Sequence, residues 1–416
     1  MKIETIYEKT SEYIRSSWRK AVKKHDVDKD FVMPCDYVPP CVDGGFFNLY
    51  YWDTYFTNLG LLEDGEAELA RGNIEDLIFC LYKFGCVPNM CRGNGATYAS
   101  QPPLLFMMIK DYYEYMRDLD FLRKGYDALT LEYRFWMEKR LSPSGLNRYG
   151  SNFDYAAIDP DLSGFSERMH CDFNAYPREQ KVAIALDRNA EGESGHDYTP
   201  RFFGKAYETN PIDLNAYLYG FERDMSEFAA ILGTGEQKLW ADRADKRKTL
   251  INELCFDPET GAYFDYNFEE NKRTGVYSGA SYVPFVFGLP DDGRALETIN
   301  ERLIGKGGVF CCEKLPSDGL VYQWGYPNSW APYNLYGFVA NVRYGNRQAA
   351  GRIAKAWLDD VAGTFEKTGK LYEKYDGETG GAATVNEYGV PEMLGWTAGV
   401  FEKILAECKK AAAEEK

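Results

Sequence analysis

The stretch DLNAYLYGFERDMSEFAAIL, residues 213–232, decides the fold. Its apolar residues Leu214, Leu218, Phe221, Met225, Phe228 and Leu232 recur in steps of three and four, which gathers them on one face of an α-helix. Similar stripes predict helices over 3–22, 66–84, 104–117, 129–139, 236–254, 347–358 and 397–408. Local punctuation agrees: Gly85 and Gly233 stand just past two of these stripes, and Pro102-Pro103 just before another. Strand-like alternation is scarce. AYFDY (262–266), after the turn sequence DPETG, is the best candidate for a short hairpin. Many helices of roughly 15 residues joined by moderate loops predict packed helical hairpins, and no repeat of about 34 or 40 residues marks a solenoid. The expected fold is all-α, a helical barrel with minor short β-hairpins in its loops.

Along the 416 residues no Ser/Gly-rich or Pro-rich linker appears, so one domain is expected over 1–408, followed by a charged tail at 409–416. The 48 Lys and Arg against 64 Asp and Glu give a formal charge of −16, which disfavours nucleic acid or an anionic membrane as partner. The opening MKIETIYEKTSEYIRSSWRK lacks the apolar centre of a signal peptide, and LLFMMI (104–109) is too short to span a bilayer. Ten cysteines without an export signal read as reduced thiols in a cytoplasmic protein. Cys80, Cys86 and Cys91 are near neighbours but form no CxxC pair, and the only histidines are His25, His170 and His196. No metal or organic cofactor is expected from these residues.

Aromatic, amide and carboxylate residues recur together between the stripes: YYWD (50–53), SQPP (100–103), ESGHD (193–197), YQWGYPNSW (322–330) and EKYD (373–376). Loops of that composition at one end of a barrel would line a sugar-sized pocket. Hydrolysis of a glycosidic bond needs a carboxylic acid to protonate the leaving oxygen, and a carboxylate to activate water or to attack. Asp197 lies in EGESGHDYTPRF, where Gly192 and Gly195 permit a tight turn and Arg201 is placed to orient a carboxylate or a sugar hydroxyl. Glu373 lies in KLYEKYD, ahead of the Gly-rich GETGGAATVNEYG. Both are candidates on context, in a chain whose acidic residues are mostly surface charge.

The order of motifs resembles glycoside hydrolase family 37, the trehalases. GGFFNLYYWDTY (44–55), VPNM (87–90) with ASQPP (99–103), ESGHDYTPRF (193–202), IDLN (212–215), QWGYPNSWAP (323–332), and YEKYD (372–376) with ATVNEYGVPEMLGWTAGV (383–400) follow that family's sequence order. The resemblance implies an (α/α)6 barrel and an inverting mechanism, with Asp197 as general acid and Glu373 as general base. It places Phe47, Trp52, Asp53, Asn89, Gln101, Gln323 and Glu387 around the sugar. Trp324 is a further candidate face for the sugar, with core packing the competing reading.

Two family arginines are replaced, by Phe46 and Ala99, and Arg178 or Arg92 are candidates to fill in. The TPR that follows Asp197 and Tyr198 leans toward family 63. The expected activity is hydrolysis of a small α-glucoside, α,α-trehalose or a related disaccharide, with a glucosylglycerate-type or other family 63 α-glucosidase as the alternative. The expected partner is thus a small-molecule sugar. A catalytically inactive carbohydrate-binding protein is the reading from another class. Retention of both Asp197 and Glu373 favours the hydrolase, and a phosphorylase would lack the second carboxylate. An isomerase would rely on a histidine pair, and only His196 lies near a motif.

Overall fold

The computed structural model describes residues 3–42, 45–92, 99–155, 159–320, 322–383 and 394–414. In chain order its helices are α1 (Ile3–Ala21), α2 (Tyr51–Glu63), α3 (Ala67–Phe84), α4 (Leu105–Met116), α5 (Leu119–Lys139), α6 (Ser163–Met169) and α7 (Arg178–Glu193). There follow α8 (Ile212–Leu232), α9 (Gln237–Leu254), α10 (Val283–Val286), α11 (Ala295–Leu303), α12 (Ala331–Arg343), α13 (Arg347–Thr368) and α14 (Gly395–Glu414). Contacts close a ring: α2 on α4, α4 on α8, α8 on α10, α10 on α12, α12 on α14, and α14 back on α2. An outer helix precedes each inner one, namely α1, α3, α5, α9, α11 and α13. This is the expected (α/α)6 barrel, with α6 and α7 added between α5 and α8. Because an outer helix returns the chain each time, all six inner helices begin at the same end of the ring.

The closest crossing in that ring is α2 on α14, and glycine permits it. A Cβ on Gly60 would stand 2.7 Å from Gly399 Cα, and one on Gly399 would overlap the Phe56 carbonyl. These two helices begin beside the cavity described below.

The stripe over 213–232 is α8, and the stripes over 3–22, 66–84, 104–117 and 236–254 are α1, α3, α4 and α9. Three helices run further than their stripes. The tail does not fray at 409, since α14 continues to Glu414 on alanine, lysine and glutamate, all good helix formers. Three of the helices that periodicity did not predict are α2, α7 and α12. Every residue of α2 from Tyr51 to Leu62 is buried, so no polar face alternates with an apolar one. The hairpin expected near 262–266 is present in small form: Phe256 pairs with Tyr263 across the DPETG turn. Tyr266–Asn267 then lies between Thr209–Asn210 and Lys272–Arg273 in a three-stranded patch. No helix among the described residues is long and apolar enough to cross a membrane.

Candidate active site

The motif residues meet where the inner helices begin. Trp52 and Asp53 occupy the first turn of α2 rather than a loop, and the Trp52 N–H donates to Gln101 Oε1 at 3.0 Å. That bond satisfies one of the orphan donors of the helix start and fixes SQPP against it. Leu49–Tyr50 pairs with Met90–Cys91, and the Tyr51 N–H donates to the Asn89 carbonyl at 3.0 Å, which sets Asn89 beside α2. Asn328–Trp330 pairs with Lys374–Asp376, joining the QWGYPNSW and EKYD segments. Glu193, fully buried, accepts from Ser100 N at 2.8 Å, Gly150 N at 2.7 Å and Arg140 Nη2 at 2.7 Å, so it ties ESGHD to SQPP.

Together these segments enclose a cavity of about 510 Å³ counting its mouth. Trp52, Trp324, Trp330 and Trp396 form its aromatic floor, and Phe46, Tyr50 and Gly195 stand on its walls. The polar groups facing it are Asp53, Asn89, Gln101, Asp197, Gln323 and Glu373. Trp324 stacks on Trp330 at 4.0 Å with its plane tilted 7°, so it is both part of that floor and packed aromatic core. Flat apolar faces ringed by carboxylates and amides suit a sugar, whose CH faces stack and whose hydroxyls donate and accept.

The carboxyl groups differ in environment. Burial, reinforced by Glu373, raises Asp53 to about 8. Burial also raises Asp197, to about 6, with Arg168 pulling it down and Glu373 pushing it up. Glu373 is instead paired: Lys374 Nζ lies 3.1 Å from its Oε2 and donates to Gln323 Oε1 at 3.0 Å. That lysine is fully buried, with its ammonium 4.7 Å from the Trp330 ring centre. Two carboxyl groups disposed to keep a proton, Asp53 and Asp197, thus share a cavity with Glu373 beside its lysine.

The backbone around Asp197 is held in unusual conformations. Gly195 has φ +76, and Tyr198, not a glycine, has φ +58. Such a residue costs energy unless its surroundings fix it. Here the Trp324 N–H donates to the Tyr198 carbonyl at 3.2 Å. A Cβ on Gly195 would stand 2.6 Å from the Trp52 ring, so only glycine lets this turn lie on the indole.

The sequence matches the family described as Trehalase over residues 1–409. The chain belongs to the trehalase family. Among solved structures it resembles the neutral trehalase of Saccharomyces cerevisiae with 25% identity and a TM-score of 0.76, covering 95% of this chain and 79% of the yeast one. It shares its fold with the family 63 mannosylglycerate hydrolase of Thermus thermophilus, at 18% identity and TM-score 0.62, covering 96% and 99% of the two chains. The family 78 rhamnosidase of Bacillus sp. GL1 is similar at 16% identity and TM-score 0.57, covering 97% of this chain and 35% of that one. This trehalase-family protein is therefore a glycoside hydrolase acting on α-glucosides.

Eight of the eleven site residues expected from the sequence line the cavity: Trp52, Asp53, Asn89, Gln101, Asp197, Gln323, Trp324 and Glu373. Two do not. Arg201 is 1% exposed and its fork is fully used, Nη1 on Asp213 Oδ2 at 2.8 Å and Nε on Asp265 Oδ2 at 2.6 Å. It bolts the IDLN start of α8 to the 209–267 strands and presents nothing to a sugar. Phe47 is 52% exposed, with Lys23 over its ring, while its neighbour Phe46 faces the cavity. Consecutive extended residues point opposite ways, and the motif alone does not say which points inward. Glu387 lies outside the described residues.

Neither proposed substitute for the replaced arginines lines this cavity. The Arg178 guanidinium donates to the Tyr155 carbonyl at 2.8 Å, and Arg92 is exposed. The cation that acts most on Asp197 is Arg168 of α6, ahead of Lys374; it stacks on Tyr198 at 4.2 Å and shares a small side cavity with Asp197. Sequence reasoning missed it because residues 150–192 have no family motif. It also missed Lys374 and Trp396, although both lie inside motifs that were read, EKYD and GWTAGV. Trp396 Nε1 donates to the Glu373 carbonyl at 3.0 Å and so helps position the EKYD strand.

Proposed function

We propose that this trehalase-family chain hydrolyses a small α-glucoside, α,α-trehalose or a related disaccharide, with inversion and without a metal or organic cofactor. Asp197 is the proton donor and Glu373 the base. In this reading glucose stacks on the tryptophan floor, with hydroxyls to Asp53, Asn89 and Gln101. Protonated Asp197 gives its proton to the glycosidic oxygen as the bond to the anomeric carbon breaks. Glu373 takes a proton from the water that attacks that carbon from the opposite face. The observation that carries the reading is the opposed environments of Asp197 and Glu373 on a single cavity. Asp197→Asn and Glu373→Gln are each expected to lower kcat by about 10²–10⁴ with the fold intact, read as glucose release. Near-full turnover in either variant sinks the assignment.

A second reading, a leaving group that carries a carboxylate as in glucosylglycerate, is favoured by the cation Arg168 in the small side cavity that reaches Asp197. Glucose release from trehalose and from glucosylglycerate, compared as kcat/KM, separates the two. The proposed location is the cytoplasm, in keeping with ten cysteines that form no disulfide.

A further inference from the structure

A second concave site lies on the outside of the ring, in the groove between α5 and α9, with Glu222 of α8 beneath it. It holds about 1230 Å³ of open space, against about 510 Å³ for the catalytic cavity. Its charge runs against the rest of the molecule. The chain carries −16, yet this groove sets Arg134, Arg243, Lys246 and Arg247 against two carboxylates, Glu138 and Glu222.

Arg247 is committed, donating to Glu222 Oε1 at 2.9 Å and to Asn147 Oδ1 at 2.9 Å. Arg134, Arg243 and Lys246 make no ion pair with an acidic side chain among the described residues. Arg243 is nonetheless held in place, its guanidinium 4.4 Å from the Trp240 ring and 5.0 Å from that of Tyr133. A cation fixed by aromatic faces presents its remaining donors at small entropic cost.

Glu222 adds an independent observation. It is 1% exposed, and its Oε1 accepts from Tyr133 Oη at 2.7 Å as well as from Arg247. Its Oε2 is buried with no hydrogen-bond partner. A buried carboxylate oxygen without a donor is costly, and a ligand hydroxyl relieves it. Three uncommitted cations on two helices suit a dianion with several oxygens better than a single carboxylate.

We propose that the α5/α9 groove is a binding site for a phosphorylated sugar or polyol. The phosphate sits among Arg134, Arg243 and Lys246, and a hydroxyl donates to Glu222. The site is separate from the catalytic cavity and does not depend on the proposed reaction.

The test is calorimetric titration of the full chain at low ionic strength with glucose 6-phosphate, inorganic phosphate and glucose. The partner protein is the double variant Arg134→Gln/Lys246→Gln, whose changes lie on exposed side chains outside the core. Glucose 6-phosphate is expected to bind the parent chain at least about tenfold more tightly than either fragment, and the double variant about tenfold or more weakly than the parent, since each lost contact is charge-assisted. The absence of glucose 6-phosphate binding overturns the proposal, as does an equal Kd in the double variant. Inorganic phosphate binding as tightly as glucose 6-phosphate also overturns it, because the hydroxyl contact then contributes nothing.

Discussion

Gly195→Ala is the perturbation whose effect the structure specifies most closely. Gly195 has φ +76, and a Cβ there would meet Trp52 atoms at 2.6, 2.8 and 2.9 Å. Placing an L side chain in the left-handed region costs about 1–2 kcal/mol. Overpacking against a side chain that cannot move adds about 1–3 kcal/mol. Trp52 cannot move freely, because Phe56, His196, Trp324 and Trp396 surround it at ring distances of 5.7, 5.4, 5.7 and 5.9 Å. The sum is about 2–5 kcal/mol, and relief by tilting Trp52 would deform the floor two residues from Asp197. Equilibrium unfolding in urea, extrapolated linearly, reads the stability, and kcat/KM on the best α-glucoside reads the site. Gly85→Ala is the control: its φ is +78 but nothing lies within 4 Å of the added Cβ, so it carries the strain alone. If Gly195→Ala loses no more stability than Gly85→Ala and keeps its kcat/KM, the account of the turn is wrong.

Arg201→Lys is expected to lose about 3–5 kcal/mol, because one ammonium cannot serve both Asp213 and Asp265 and leaves buried charge uncompensated. KM of the folded enzyme is expected to be unchanged, and a raised KM with normal stability would return Arg201 to the sugar. Asp197, raised to about 6, must be protonated to act, so kcat/KM is expected to fall above about pH 6. Arg168 lowers that value, so Arg168→Gln is expected to move the alkaline limb to higher pH, and an unmoved limb refutes its action on Asp197. Buried Asp53 and Asp76 are each raised to about 8, so the folded chain keeps protons that the unfolded chain releases near pH 4. Stability is therefore expected to fall as pH rises from about 4 to 8. Asp76→Asn should flatten part of that slope in Tm against pH, and a Tm that climbs over this range contradicts it.

Much of the fold was legible where a helix has one wet face. Outer helices α1, α3, α9 and α13 show the three-and-four spacing because solvent selects their polar side. Inner helix α2 has no such contrast, and only the ring contacts reveal it. The site was legible as residue types in order, since Asp197, Glu373 and the Trp52–Asp53 pair all reach one cavity. What a string of letters did not carry was direction and partnership. Phe46 rather than Phe47 turns inward, Arg201 spends its fork on two buried aspartates, and Arg168 arrives from a stretch without any motif.

The most direct test of the central claim is the anomeric configuration of the first product, followed by proton NMR before mutarotation. With α,α-trehalose as substrate, attack by water opposite the leaving group yields one β-glucose for each α-glucose released. The account requires β-glucose to appear at the start in equal amount to α-glucose and to require both Asp197 and Glu373. Only α-glucose at the earliest times would mean retention, with a carboxylate acting as nucleophile, and would contradict the roles assigned to the pair.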